Sequence, residues 1–218
     1  MRSIDAIKDI LDLINTHGLA LIIAAIVVIF IIKFGNLGFD FVRERLHIQA
    51  HDELIDLRLK VSPEINRILE RILLLTGASR AYVVEFHNSG ANLGGLPFFK
   101  MSCTYEALGM GIPSELVRRC NMSLLLYSTF IQSLLTRDWI KLDVDKRSDL
   151  DSDLGYATLI ERGIRMTVRV KIMDTSKKVI GYIGIDYARE QAAPPDDTAI
   201  ARIVREGATE VGALLSIK

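Results

Sequence analysis

From Gly18 to Ile32 the chain reads GLALIIAAIVVIFII, fifteen residues without a polar side chain. Such a stretch must leave water, either inside a core or inside a bilayer. As a helix it rises about 22 Å, short of a hydrocarbon core of about 30 Å. Ile14 and Phe34 extend the apolar surface, and Lys33 can snorkel to the headgroups, so Ile14 to Phe34 covers about 31 Å. Eleven Leu, Ile, Val or Phe residues contribute about −0.3 to −0.6 kcal/mol each to insertion, which outweighs one lysine at the edge. A helix buried in a globular core keeps a polar stripe, and this one has none. A cleaved signal peptide needs a short basic start and an A-x-A-like site. Here seventeen residues precede the run, Asp5, Asp9 and Asp12 among them, and no such site follows. The sequence therefore predicts a transmembrane helix over 18–34, a single-pass membrane protein with the lipid bilayer as a partner. Arg2 and Lys8 precede the span while Lys33, Arg43 and Arg45 follow it, a bias that places the C-terminal part in the cytoplasm.

The flanks follow from spacing. Ile4, Ile7, Leu11 and Ile14 mark an amphipathic helix over 1–17. Gly35-Asn36-Leu37-Gly38 reads as a hinge, and 35–61 as a charged juxtamembrane helical stalk with an imperfect apolar stripe. Ser62-Pro63-Glu64 is a helix-start signal opening a domain over 62–218. Ile65, Ile68, Leu69, Ile72 and Leu73 mark one helix face, which Thr76-Gly77 ends.

Alternation predicts strands next. Tyr82, Val84 and Phe86 share one face against Ala81, Val83, Glu85 and His87. In Pro97 to Tyr105, Phe99, Met101, Cys103 and Tyr105 oppose Phe98, Lys100, Ser102 and Thr104. Pro113-Ser114-Glu115 starts one helix, or two with a break, reaching about Leu135. A short strand over Trp139 to Val144 and a short helix over Tyr156 to Arg162 follow. Met166, Val168, Val170 and Ile172 alternate with Arg165, Thr167, Arg169 and Lys171. The turn Asp174-Thr175-Ser176-Lys177 then leads into Val179, Gly181, Ile183, Ile185 and Tyr187. This is an antiparallel hairpin with one buried face. Ile200, Ile203, Val204, Val211, Leu214 and Leu215 line a closing helix.

Residues Ala157 to Asp186, ATLIERGIRMTVRVKIMDTSKKVIGYIGID, resemble the second half of a GAF domain: Leu159-Ile160 in a short helix, the entry Gly163-Ile164-Arg165, a strand through Val168 to Ile172, and Ile180-Gly181-Tyr182-Ile183-Gly184-Ile185. The element order from Ser62 to Lys218 is similar to that family's throughout. The resemblance implies an α+β fold, in which an N-terminal transmembrane helix and stalk precede a GAF-like domain with a central antiparallel sheet flanked by helices. It also implies sensing or small-ligand binding, with self-association through stalk and terminal helices. The chain departs from the family in lacking the Asn-Lys-Phe-Asp-Glu signature of cyclic-nucleotide-binding members and any cysteine context matching covalent bilin attachment. Lys171 stands where many members carry proline.

Strand pairing would bring Glu85, His87, Ser102 and Thr104 to one sheet face. The residues expected to bind a small molecule there are His87, Asn88, Ser102, Thr104 and Glu106, against the plainer reading of a solvated face. No catalytic apparatus is expected: there is no G-x-S-x-G elbow, H-E-x-x-H, C-x-x-C or P-loop. The run Asp143, Asp145, Asp149, Asp151 and Asp153 is interrupted by Lys146 and Arg147 and lacks the EF-hand glycine and glutamate, so no metal site is expected. The two cysteines, Cys103 and Cys120, read as small buried apolar residues suited to a reducing compartment. A formal net charge of zero and scattered basic residues argue against nucleic acid. No cofactor can be named. Two readings stay open: a membrane-tethered sensory or ligand-binding module acting through self-association or partner contact, and a non-catalytic structural or assembly subunit of a larger membrane or viral complex.

Overall fold

The computed structural model describes residues 53–91, 97–146, 153–189 and 196–217, with six helical positions upstream: Lys8, Asn15, Gly18, Ile23, Val28 and Ile29. Apart from those positions, the predicted 1–17 helix, the 18–34 span and the stalk up to residue 52 lie outside the described residues. Among the described residues no helix is long and apolar enough to cross a membrane. The chain divides into two compact units, Met1–Asp56 and Leu57–Lys218.

The second unit holds the sheet. Helix α1 (57–76) leads to strands β1 (Arg80–Ala91), β2 (Pro97–Leu108) and β3 (Met122–Ser123), then to helix α2 (Ser128–Thr136) and strand β4 (Trp139–Asp143). Helix α3 (Asp153–Glu161), strands β5 (Ile164–Met173) and β6 (Val179–Ala188) and helix α4 (Asp197–Leu215) complete it. The six strands run in the order β3-β2-β1-β6-β5-β4, and every pairing is antiparallel.

Local chemistry explains the predicted hairpin. The Asp174 carboxylate accepts from the Ser176 and Lys178 backbone N–H groups (2.9 and 2.8 Å) and from Ser176 Oγ (2.7 Å), while Lys177 takes φ 64°. That Asx-type closure sets the register that pairs Ile172 with Gly181 and Val170 with Ile183. Asp196 caps α4, accepting from Thr198 N and Ala199 N.

Four expectations are corrected. Ser62-Pro63 does not start a helix. The described helix passes through it, Ser62 Oγ donates to the Arg58 carbonyl (2.6 Å), and the buried stripe Val61, Ile65, Ile68, Leu69, Ile72 runs past the proline. Residues 113–121 form turns rather than a helix, because their polar groups bond to strand β2: Cys103 N–H donates to the Arg119 carbonyl and Asn121 N–H to Ser102 Oγ, both at 2.8 Å. The alternation in β2 breaks at Thr104. Val83 pairs with Tyr105 but Val84 with Cys103, so Thr104 is an exposed bulge residue, and Tyr105 lies on the opposite face from Met101 and Cys103. The hairpin is covered on both faces, since Thr167 is fully buried and Arg169 only 8% exposed.

One face of the sheet packs against α1 and α4. Ile65, Ile68, Leu69 and Ile72 meet Val204, Ala208 and Val211 over Val83, Val168, Val170, Ile183 and Ile185. The other face carries Tyr82, Val84, Met101, Cys103 and Tyr182 beneath Phe130 and Leu134 of α2 and Leu159 of α3. Cys103 is buried, whereas Cys120 is exposed and corrects the expectation for that residue.

Candidate functional site

On the α2/α3 face, β1, β2, β6 and the segments 113–121 and 162–163 converge on charged side chains that are almost wholly inside. Arg80 Nη1 lies 3.1 Å from Glu115 Oε2 and 3.7 Å from Asp186 Oδ2, its Nε is 3.7 Å from Glu106 Oε2, and its Nη2 donates to the Pro113 carbonyl (2.6 Å). Arg162 Nε donates to Glu115 Oε1 (2.7 Å) and Arg162 Nη2 to Asp186 Oδ2 (3.2 Å). Glu115 N–H is shared between both Glu106 oxygens at 3.2 Å, and Tyr82 Oη donates to Asp186 Oδ1 (3.1 Å). Each carboxylate is therefore ion-paired, although Glu115 Oε2 and Arg80 Nε are buried without a well-formed hydrogen bond. This is why charges that are expensive to bury persist here.

Two further guanidinium groups lie beside the cluster without such partners. Arg119 stacks on Tyr82 with Cζ 4.1 Å from the ring centroid, and Arg169 stacks on Phe130 at 4.5 Å and Tyr182 at 5.8 Å. They are 7% and 8% exposed, and neither ion-pairs with a carboxylate among the described residues. Arg119 Nη1 and Arg169 Nε are buried with no hydrogen-bond acceptor. Burial opposes their charge, yet the surrounding phenols and Asp186 hold both pKa values above the ordinary arginine value. Gly184 makes the Tyr82 platform possible: a Cβ there would fall 2.3 Å from the Tyr82 ring, so only glycine lets the phenol lie across the sheet.

A cavity of about 250 Å³ opens over both arginines, walled by Met101, Met122, Phe130, Leu159 and Tyr182 and bounded by Glu115 and Arg162. A larger cavity, about 630 Å³ and mainly apolar, lies along α2 from Ser128 to Leu135, against Phe86, Phe99, Leu124 and Ile180.

The residues expected from sequence do not gather in one place. His87 and Asn88 line the larger cavity. His87 Nε2 lies 2.8 Å from Ser102 Oγ, which also accepts from Asn121 N–H, so Ser102 ties β1 to the 113–121 segment. Thr104 is exposed on its bulge, and Glu106 belongs to the charged cluster. Glu85, grouped with them, pairs with Arg58 of α1. No local sequence pattern marks Arg119, Arg162 or Arg169 as site residues. Arg169 occupies a polar position of an alternating strand, where sequence cannot tell solvent from a covered site.

The described residues contain no group of three or more His, Cys, Asp or Glu able to hold a metal. The thiol of Cys103, pushed up to about 11 by burial, stays protonated at neutral pH.

No family model matches the sequence, and no curated protein aligns with it. Solved structures do match. A GAF domain from Synechocystis sp. in its photoproduct state superposes with TM-score 0.56 at 12% identity, over 72% of this chain and 93% of that one. The blue-light absorbing form of the PixJ GAF domain from Thermosynechococcus elongatus gives 0.56 at 13%, over 73% and 87%. A GAF domain/HD domain protein from Geobacter sulfurreducens gives 0.51 at 19%, over 72% and 92%. With identities this low the likeness concerns architecture: the chain carries a GAF-like α+β fold.

Proposed function

We propose that this chain is a membrane-tethered, non-catalytic sensory module that binds a small ligand on the α2/α3 face and passes the signal on by contact with a partner or a second copy. The observation that carries the reading is the cavity lined by Arg119 and Arg169, two nearly buried guanidinium groups that ion-pair with no carboxylate among the described residues. Burying a charge without a counterion is expensive, a penalty that a bound anion removes. A domain serving only as an assembly scaffold gains nothing from that arrangement. The fold supports the same reading, since the matching structures include GAF domains of light receptors, one with phycocyanobilin bound. At about 250 Å³ the cavity is far too small for a tetrapyrrole, so this ligand is a smaller one. The tether rests on the apolar run within 18–34, and self-association on Leu59, Leu74 and Leu75, which α1 leaves exposed.

Native mass spectrometry of the full chain in detergent, compared with denaturing conditions, tests the reading. A mass adduct lost on denaturation, and diminished by Leu159→Trp in the cavity wall, is the expected result. A bare protein that takes up nothing from a small-metabolite extract would overturn it.

A further inference from the structure

We infer that the ligand is a small organic acid whose single carboxylate sits between Arg119 and Arg169 and whose apolar body lies against Met101, Met122, Phe130 and Leu159. The inference rests on the ligand-binding reading above and adds the chemistry.

Charge comes first. Arg80, Arg119, Arg162 and Arg169 face Glu106, Glu115 and Asp186 in one buried cluster, which leaves one positive charge over. Arg118 and Glu161 at the rim pair with each other at 3.4 Å. Burying a surplus charge without a counterion is expensive, so an occupant carrying one negative charge closes the balance. The Arg119 charge also opposes protonation of Arg169. An anion between them turns that repulsion into two attractions.

Geometry comes second. Both guanidinium planes are fixed from behind by aromatic faces, Tyr82 under Arg119 and Phe130 with Tyr182 under Arg169. Tyr182 is itself held edge-on by Tyr82 (6.3 Å) and Phe130 (5.4 Å). The donors are thus oriented before a ligand arrives, the state in which charge-assisted hydrogen bonds to a carboxylate contribute most. Size comes third. A cavity of about 250 Å³ equals the volume of about eight water molecules at roughly 30 Å³ each, room for a single-ring acid and not for a polycyclic one. Beyond the arginines its wall is methionine, leucine and the rings of Tyr127, Phe130 and Tyr182, with Thr158, Glu115 and Glu161 completing it; the apolar part suits a branched or aromatic acid better than a hydrated inorganic ion.

The test measures melting temperature and calorimetric affinity of the full chain with benzoate, benzamide and inorganic phosphate. Benzoate should stabilise the protein; benzamide, which has the same shape without the charge, should bind at least tenfold more weakly. Arg119→Gln and Arg169→Gln should each weaken benzoate at least tenfold and leave benzamide unchanged. Equal binding of benzoate and benzamide, indifferent to both substitutions, would overturn the carboxylate inference while leaving the cavity reading intact. Phosphate binding tighter than benzoate would overturn the organic-acid assignment. No binding of any probe, with Leu159→Trp behaving as wild type towards all three, would remove both readings.

Discussion

The two faces of the sheet are built on opposite principles. Against α1 and α4 the strands present Val83, Val168, Val170, Ile172, Ile183 and Ile185, which meet apolar helix side chains. Against α2 and α3 the same strands present Arg80, Tyr82, Thr167, Arg169, Tyr182 and Asp186, which meet aromatic rings, other charges and open space. Period two delivers both sets, one residue apart along each strand. The first face stabilises the fold by removing apolar surface from water, at about 25 cal/mol per Å². The second spends part of that stability holding ionised groups and an unfilled cavity in place, an arrangement that binding explains and packing does not.

Cutting into each face by the same size of change should reveal the largest difference. Leu69→Ala, at a position fully buried between helix and sheet, should cost about 2–5 kcal/mol in denaturant unfolding and leave ligand binding unchanged. Arg162→Met strands Glu115 and Asp186 and should cost about 3–5 kcal/mol, with ligand binding lost as well. Equal effects of the two variants on binding would erase the distinction between the faces.

Alkaline pH should act on both faces at once. Tyr187, on the α1/α4 side, donates to the Thr76 carbonyl, and Tyr182 lies on the other side; burial pushes each up to about 12. Each folded pKa exceeds the unfolded value near 10, so the protonated phenol favours the fold. That contribution is complete below about pH 10 and is lost as pH rises towards 12, at roughly 2–3 kcal/mol per tyrosine. Tyr187→Phe should remove one of the two steps in a stability-versus-pH series. A series that stays flat to pH 12 would contradict both assignments.

The smallest effect belongs to Thr104→Ala. As an exposed bulge residue, Thr104 should shift stability by less than about 0.5 kcal/mol and ligand affinity not at all.

What sequence disclosed divides along the same line. The α1/α4 face was legible because apolar residues at period two in strands and at three-to-four spacing in helices have one common cause, burial in a continuous core. Val168, Val170, Ile183 and Ile185 fell on that face as expected. The other face was legible only in its apolar part: alternation grouped Tyr82 with Val84 and Met101 with Cys103, as the structure does, but not the charges. Its arginines come from a turn, the end of a helix and a strand, and no local spacing joins Arg119, Arg162 and Arg169. The polar positions of β5 resembled a solvated face because alternation records polarity, not what covers it. The bulge at Thr104 has no glycine or proline to announce it. The helix-start pattern at Pro113 lost to hydrogen bonds with β2 that only the assembled sheet supplies.

The central claim is that Arg119 and Arg169 are kept for a ligand and not for stability. Unfolding free energy of the doubly substituted Arg119→Met, Arg169→Met chain, refolded from denaturant without added anions, tests it most directly. The account predicts a protein as stable as the wild type or more so, because two nearly buried guanidinium groups that make no ion pair have been replaced by apolar carbon. A loss above about 2 kcal/mol would contradict it, showing that the arginines brace the fold through their aromatic contacts.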